Sequence, residues 1–315
     1  MSKEIHIGSF IKYFRKKKHL TQTALADGIC DKDYLYKIET GKNEPSIFVL
    51  EALSKKLNVN LLEYRHDIFK YTSSEVYEMY TNLNLLLSTE DKEGVKNYIL
   101  ECNKEPSFKT GDLYLFLQYS KAWLAFHDEK YDESIALCLE GMNTAGFSLD
   151  INKPILSTFS NEAILLIKLY AINLHITEKI DEALAIYEQL YKELYYVVER
   201  PVYELNKALH FQAVHFMNIS YNLGVLYTEK HKYDKAEQII NVALKLSHRT
   251  KYANMYIPIL ICLIDVYYNT NRLNKAQETW NDIQVLAKYF GKDSHYDYFV
   301  ENCKKYMPEL NGGGI

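Results

Sequence analysis

A recurring unit of two helices is the feature of this 315-residue sequence that most restricts how the chain can fold. The unit is clearest in residues 221–246, which read YNLGVLYTEKHKYDKAEQIINVALKL. Small residues at Gly224 and Ala236 allow two helices to touch, and Tyr227 and Tyr233 fill the space beside them. The whole chain has only 12 glycines and 6 prolines, so long stretches lack helix breakers. We therefore predict an all-α protein built largely from packed helical hairpins.

Counterparts of Tyr233, which marks the turn of this unit, recur along the chain. The other markers are Lys92, Tyr131, Ile180 and Leu273, and the hairpin positions three residues after them are Val95, Ser134, Ala183 and Ala276. Successive markers are 39, 49, 53 and 40 residues apart, which is longer than the roughly 34 residues of a tetratricopeptide (TPR) repeat. The pattern predicts five TPR-like hairpins, the first of them degenerate, and a final helix over about residues 294–306.

Stacked TPR hairpins form a right-handed superhelix, and its concave face comes from the first helix of each pair. Such a face binds a peptide or a helix far more often than it serves as an active site. Counting back from the markers, we expect this face to carry Tyr119, Trp123, Lys168, Ile172, His175, Asn218, Tyr221, Asn222, Asp265, Tyr268 and Asn269.

Asn222 is the strongest candidate for a ligand contact, because an asparagine amide can form two hydrogen bonds with a peptide backbone. The alternative for Asn222 is an interhelical contact. Lys168 or His175 could receive a peptide carboxylate, although each could instead be solvated or locally paired. Trp123 suits the core as well as it suits the groove.

The N-terminal segment differs from the rest of the chain in charge. Residues 1–66 contain 12 Lys and Arg against 8 Asp and Glu, a net charge of +4, and the remainder contains 25 against 33, a net charge of -8. A small basic segment thus precedes a large acidic one. Because only the basic segment needs to touch phosphate, the overall charge of -4 does not exclude a nucleic-acid partner.

The basic segment also has the helix pattern of a DNA-binding domain. Apolar spacing and capping residues predict five short helices, which begin near Ile7, Thr21, Asp31, Ser46 and Asn60. Such a set fits a helix-turn-helix domain, in which the third helix enters the major groove and the second crosses the DNA backbone. We place this domain at residues 1–66, a connecting segment at 67–72, the TPR region at 73–310 and a tail at 311–315.

Spaced residues across this segment resemble the Cro/C1-type (Xre-like) helix-turn-helix family. They are Leu20, Thr21, Gln22, Leu25, Ala26, Ile29, Leu35, Ile38, Glu39, Gly41, Pro45 and Ser46. The resemblance implies that Glu39 stabilises a turn rather than contacting bases. It implies DNA contacts from Arg15, Lys18, Thr21, Gln22, Lys32, Asp33, Tyr34, Tyr36 and Lys37. Since a charge of +4 gives weak binding, we expect a homodimer that doubles the contacts.

A helix-turn-helix segment followed by five TPR-like hairpins resembles the peptide-sensing regulators of Gram-positive bacteria, the Rap, Rgg, NprR, PlcR and PrgX group. The run from Gly28 to Gly41 carries part of this resemblance, and Asn222 matches a family asparagine that holds the peptide backbone. The resemblance implies a transcriptional regulator whose binding to a double-stranded DNA operator is controlled by a short signalling peptide in the concave groove, as in quorum sensing. The alternative is a TPR adaptor or phosphatase-type regulator in which the helix-turn-helix mainly dimerises.

Other function classes find little support in the sequence. We see no Gly-rich phosphate loop, no H-E-x-x-H and no G-x-S-x-G, so we do not expect an enzyme. The five cysteines form no C-x-x-C pair, and His210 and His215 are five residues apart on different sides of a helix, so we expect neither a metal nor another cofactor. Without a signal peptide or an apolar run of about 20 residues, we expect a cytoplasmic protein with no membrane partner.

Overall fold

The computed structural model describes residues 6–59, 61, 71, 73–144, 160–199, 207–250, 256–290, 296, 297 and 300. Throughout these residues the regular structure is helical, which confirms the predicted all-α class. The chain divides into two compact units, residues 1–145 and 146–315. The predicted final helix lies outside the described residues apart from Tyr296, Asp297 and Val300, and the tail lies wholly outside them.

The first unit begins with the four described helices of the predicted DNA-binding domain. They are α1 (Ile7–Lys17), α2 (Gln22–Ala26), α3 (Lys32–Glu39) and α4 (Ile47–Leu57). The predicted caps at Thr21 and Ser46 are confirmed, because each accepts a hydrogen bond from a backbone N–H in the first turn that follows, and Asp31 caps α3 in the same way. The predicted fifth helix lies outside the described residues, except for buried Leu61.

The remaining helices are arranged as pairs. In the first unit these are α5 (Ser74–Ser88) with α6 (Lys92–Cys102), and α7 (Gly111–His127) with α8 (Tyr131–Thr144). In the second unit, α9 (Asn161–Ile176), α10 (Ile180–Leu194), α11 (Tyr196–Glu199), α12 (Lys207–Glu229), α13 (Tyr233–Thr250), α14 (Tyr256–Asn269) and α15 (Leu273–Phe290) follow in order. The short α11 lies between the pair α9–α10 and the pair α12–α13, and α14–α15 closes the series.

The five predicted hairpins are confirmed among these helices. Each of the five markers is the first residue of the second helix in its pair. The positions three residues later are fully buried, namely Val95, Ser134, Ala183, Ala236 and Ala276. The spacing of the markers therefore predicted where the second helix of each of these five pairs begins, and which position in its first turn is buried.

The turns between paired helices share one backbone geometry. The residue two positions before each marker has a positive φ of 54° to 63°, and these residues are Glu90, Glu129, Glu178, His231 and Asn271. The next N–H donates to the carbonyl five positions earlier, as Lys130 does to Ala125 at 2.9 Å. This is a Schellman helix ending, which most often uses glycine at the left-handed position. Since none of the five positions is glycine, the usual sequence signal for these turns is missing.

Gly224 permits a close helix approach in the second unit. A Cβ atom there would lie 2.6 Å from Cδ1 of Ile240 on α13 and 3.1 Å from Sγ of Cys262 on α14. The predicted role of Gly224 within its hairpin is thus confirmed. The same residue also brings α12 against the first helix of the next pair, a contact that the hairpin pattern did not predict.

Candidate DNA-binding surface and ligand-binding face

The third helix presents the predicted reading face to solvent. Leu35 and Ile38 are fully buried, so the opposite side of α3 faces outward. Of the predicted contacts on this helix, Lys32, Asp33, Tyr36 and Lys37 are exposed and Tyr34 is half-buried. Lys42 Nζ lies 5.9 Å from the centre of the Tyr36 ring, which adds a third cation to those of Lys32 and Lys37.

Two tyrosines give this face an unusual chemistry. Tyr36 is 49 % exposed, and the Tyr34 hydroxyl donates to the carbonyl of Glu44 at 3.4 Å. A tyrosine ring can contact a thymine methyl group, and its hydroxyl can donate to a phosphate oxygen. The surface is therefore suited to contact with both the bases and the backbone of DNA.

Glu39 joins α1, α2 and α3 beneath the reading face. Its carboxylate accepts from Arg15 Nε at 2.6 Å and Nη2 at 2.9 Å, and from Gln22 Nε2 at 2.8 Å. Glu39 is only 4 % exposed, which agrees with the expected structural role. Hydrogen bonding to Glu39 raises the pKa of Arg15 above its usual value, so the guanidinium stays charged and its hydrogen bonds to the carboxylate are strong.

This network changes the expectation for Arg15. Its guanidinium binds Glu39 and also donates from Nη1 to the carbonyl of Leu20 at 2.9 Å. The side chain is 11 % exposed, so its main observed role is to position α3 rather than to offer a free cation. Lys18 and Thr21 are exposed, and the Thr21 hydroxyl accepts from the Ala24 N–H at 3.1 Å.

Two groove candidates lie on α7 in the first unit. Trp123 is 8 % exposed, and its ring centroid is 4.1 Å from that of His127. It is therefore largely a packing residue, one of the two roles that the sequence allowed. Tyr119 is half-buried beside Phe116, with ring centroids 6.4 Å apart, and burial raises its pKa to about 12.

The second unit places most of the other candidates on one row of helices. α9, α12 and α14 are the first helices of their pairs, and α12 packs against both of the others. The predicted ligand contacts on these helices are partly exposed, whereas the residues beside them, such as Ile167, Ile219 and Ile264, are buried. We call this partly exposed surface the first-helix face. It carries Lys168, Ile172, His175, Asn218, Tyr221, Asn222, Asp265 and Tyr268.

Asparagine amides run along this face. Nδ2 of Asn222 donates to the carbonyl of Asn218 at 2.9 Å, and Nδ2 of Asn218 donates to that of Val214 at 3.2 Å. Each bond uses one N–H and ties the amide to its own helix. A second N–H and the carbonyl oxygen of each amide can still serve a ligand backbone.

Three titratable groups on these helices have perturbed pKa values. Burial lowers the pKa of Lys168 to about 8 and raises that of Asp265 to about 6. Burial, together with the charge of Lys168, lowers the pKa of His215 well below its usual value. His215 is 6 % exposed. From the sequence, His215 was considered only for metal binding. Its position three residues before Asn218 was the signal that it lies on the same side of α12 as Asn218.

His175 is paired within the protein. Its Nε2 lies 2.9 and 3.0 Å from the two carboxylate oxygens of Glu229 on α12. The local pairing that the sequence left open is therefore the observed arrangement, and Lys168 is the better candidate for a ligand carboxylate. Within the described ranges no group of three or more His, Cys, Asp or Glu side chains could hold a metal ion.

The described part of the chain contains no helix long and apolar enough to cross a membrane. Residues 11–64 match the helix-turn-helix family, so the chain carries a DNA-binding domain. This match also agrees with the expectation of a regulator rather than an enzyme. No curated protein matches the chain in sequence.

Two solved structures are similar to nearly the whole chain. PlcR of Bacillus thuringiensis, solved in complex with the peptide PapR7 and DNA, is 16 % identical with a TM-score of 0.56, and the match covers 99 % of this chain and 100 % of PlcR. The SHP pheromone receptor Rgg2 of Streptococcus dysgalactiae is 14 % identical with a TM-score of 0.53, and that match covers 95 % and 99 % of the two chains. The chain thus shares the fold of these proteins, which confirms the resemblance inferred from its motifs.

Proposed function

We propose that this protein is a transcriptional regulator whose operator binding is controlled by a short peptide bound to the first helices of its TPR-like hairpins. One chain combines an exposed reading helix with a row of helices that carries partly exposed asparagine amides and the buried Nδ1 of His215, which has no hydrogen-bond partner among the described residues, and this combination carries the proposal. A DNA-binding domain alone does not require such a row. PlcR, which has the same fold, was solved with both a peptide and DNA.

The DNA contacts proposed for this protein are made by the exposed side of α3 and by the residues that flank α2. The bond network around Glu39 supports this assignment, because it fixes α3 against α1 and α2 before any ligand arrives. A rigid reading helix avoids the entropic cost of ordering the surface on binding. Two copies of the protein would place two reading helices on half-sites about 34 Å apart, one helical turn of DNA.

Peptide control requires that the ligand bind two states of the protein with different affinity. The shift in operator affinity then equals the ratio of the two peptide affinities. Typical coupling free energies of about 1–3 kcal/mol correspond to changes of roughly 5- to 150-fold. A change of this size is easily measured by titration of labelled DNA.

The test is fluorescence anisotropy of labelled genomic fragments with the full-length protein at several salt concentrations. We expect binding that weakens steeply with salt, as phosphate contacts require. A Lys32→Ala/Lys37→Ala variant should bind at least tenfold more weakly and show a shallower salt slope. Lys104→Ala, which removes an exposed lysine from a turn in the same unit, is the matched control and should match the wild type.

A second measurement adds a pool of synthetic hexapeptides to the same titration. The proposal expects the pool to change DNA affinity by fivefold or more, in either direction. Failure of the wild-type protein to bind any fragment at low ionic strength, with and without the pool, would rule the proposal out. Binding to DNA without any response to peptides would leave a regulator of a different kind.

A further inference from the structure

Two charged side chains on the first-helix face have no ion-pair partner among the residues that the structure describes. Lys168 lies on α9 and Asp265 on α14, and neither side chain forms an ion pair within the described ranges. Both are partly covered, and burial is the cause of both pKa shifts. A covered charge without a partner destabilises the protein that carries it. Two such charges of opposite sign on one face suggest a ligand that satisfies both.

His215 strengthens the basic end of this face. It lies on α12, close enough to Lys168 for that charge to lower its pKa. Its Nδ1 atom is buried and has no hydrogen-bond partner among the described residues. A lysine ammonium, and a histidine ring within reach of its charge whose Nδ1 has no partner, suit an anion, because both can donate hydrogen bonds to it.

The helix between the two charges carries polar groups that suit a peptide backbone. His215, Asn218 and Asn222 are spaced i, i+3 and i+7, so they form one stripe along α12. α12 packs against both α9 and α14. A ligand that reaches from Lys168 to Asp265 must therefore cross this stripe of amides.

The spacing of the helices sets the length of such a ligand. Packed helices lie about 8–10 Å apart, so the two steps from α9 to α12 and from α12 to α14 span roughly 16–20 Å. An extended peptide covers about 3.3–3.6 Å per residue. The span therefore corresponds to about five or six residues.

We propose that the ligand is a linear peptide of about six residues with free termini, whose C-terminal carboxylate binds Lys168 and His215 and whose N-terminal ammonium binds Asp265. This inference rests on the proposed function and adds the class and direction of the peptide. The C-terminus lies at the third hairpin and the N-terminus at the fifth. The asparagines of α12 hold the backbone between them, which leaves the side chains to be read by other parts of the face.

The test uses synthetic hexapeptide libraries and the full-length protein. In the first library every position excludes Asp, Glu, Lys and Arg, so that only the termini are charged. This library is made in three forms: one with both termini free, one with a C-terminal amide and one with an N-terminal acetyl group. A second library contains all residue types. Peptides that remain with the protein after rapid size exclusion are counted by mass spectrometry. We expect amidation or acetylation to lower retention of the first library at least tenfold.

Two variants test which residue binds each terminus of the peptide. Lys168→Met should retain free-acid and amide peptides equally, and Asp265→Asn should retain free-amine and acetylated peptides equally. Lys192→Met and Asp282→Asn, which change exposed residues on the second helices of their pairs, should behave as the wild type does. The end-blocking comparison in the wild type decides the question even if a variant does not fold.

The outcomes separate this inference from the proposed function. Equal retention of free and blocked peptides in the wild type would overturn the assignment of the termini while peptide binding itself survives. The protein could instead retain only the second library, with free and blocked ends alike. Charged side chains of the peptide rather than its termini would then bind Lys168 and Asp265, and this result would also overturn the assignment. Retention of neither library would overturn peptide binding and this inference together.

Discussion

Asp265 provides a sharp test of the idea that the ligand-free protein carries unsatisfied charge. Burial raises the pKa of its carboxyl from 3.8 to about 6, so the folded state favours the protonated form. Above pH 6 the carboxylate is ionised in both states, and the folded state bears the cost of its poor solvation. Two pKa units at about 1.4 kcal/mol each give a destabilisation of up to about 3 kcal/mol.

The expected pH dependence follows from the direction of this shift. Below pH 3.8 the group is protonated in both states and costs nothing. Between about pH 4 and pH 6 the stability of the wild type falls as pH rises, and above pH 6 the loss is complete. Asp265→Asn removes the ionisation, so the variant should exceed the wild type by about 1–3 kcal/mol at pH 7.5, and the difference should vanish near pH 4.

The two tryptophans allow this difference to be measured in one unit. Trp123 lies in the first unit and Trp280 in the second, where it is 2 % exposed. In a Trp123→Phe background, urea unfolding followed by fluorescence therefore reports on the unit that contains Asp265. The neighbouring titratable group is Cys262, whose pKa is raised by burial and by the charge of Asp265. Its titration lies above the pH range of the experiment.

Asp282→Asn removes an exposed carboxylate on α15 of the same unit and serves as the control. Its stability difference from the wild type should stay within about 0.5 kcal/mol at every pH. If Asp265→Asn instead destabilises the protein at pH 7.5, or if its effect is independent of pH, the carboxylate has a partner in the folded state. The argument that it awaits a ligand would then be refuted.

Other predictions test the fold. Gly224→Ala should destabilise the second unit by about 1–3 kcal/mol in urea unfolding, because the new methyl group would lie 2.6 Å from Ile240; an unchanged midpoint would contradict this close contact. Glu178→Gly should stabilise the protein by about 0.5–1 kcal/mol, since residue 178 has a φ of 63°, whereas Glu182→Gly within α10 should destabilise it. Glu39→Ala should cost about 3 kcal/mol of thermal stability in the first unit and weaken DNA binding, because Arg15 and Gln22 lose their shared acceptor. A Glu39→Ala variant that unfolds and binds DNA as the wild type does would show that this network is dispensable.

Much of the fold could be predicted from local patterns. The caps at Thr21 and Ser46 were readable because a hydroxyl before an apolar run is a local signal. The markers of the hairpins were readable because small residues recur at the contact points of paired helices. The left-handed turn residues, such as Glu129 and His231, were not readable, since carboxylate and imidazole side chains give no hint of a positive φ.

The candidate site was only partly predictable for a related reason. Helical periodicity predicted that Lys168, Asn222 and Asp265 share one face, and all three are partly exposed in the structure. It gave no indication that the charge of Lys168 reaches His215, because these residues lie on different helices. The family resemblance implied that Arg15 contacts DNA, whereas the guanidinium is held by a carboxylate 24 residues away.

The sequence by itself determined that this chain is helical, where its helices pair and that its first segment is a helix-turn-helix domain, because these properties depend on residues a few positions apart. The tertiary structure decided which polar groups find partners. His175 meets Glu229 across 54 residues, while Lys168 and Asp265 are left without an ion pair in the described part of the chain. Pairing depends on which helices adjoin, and that in turn depends on close contacts such as the one at Gly224, so local spacing alone does not fix it.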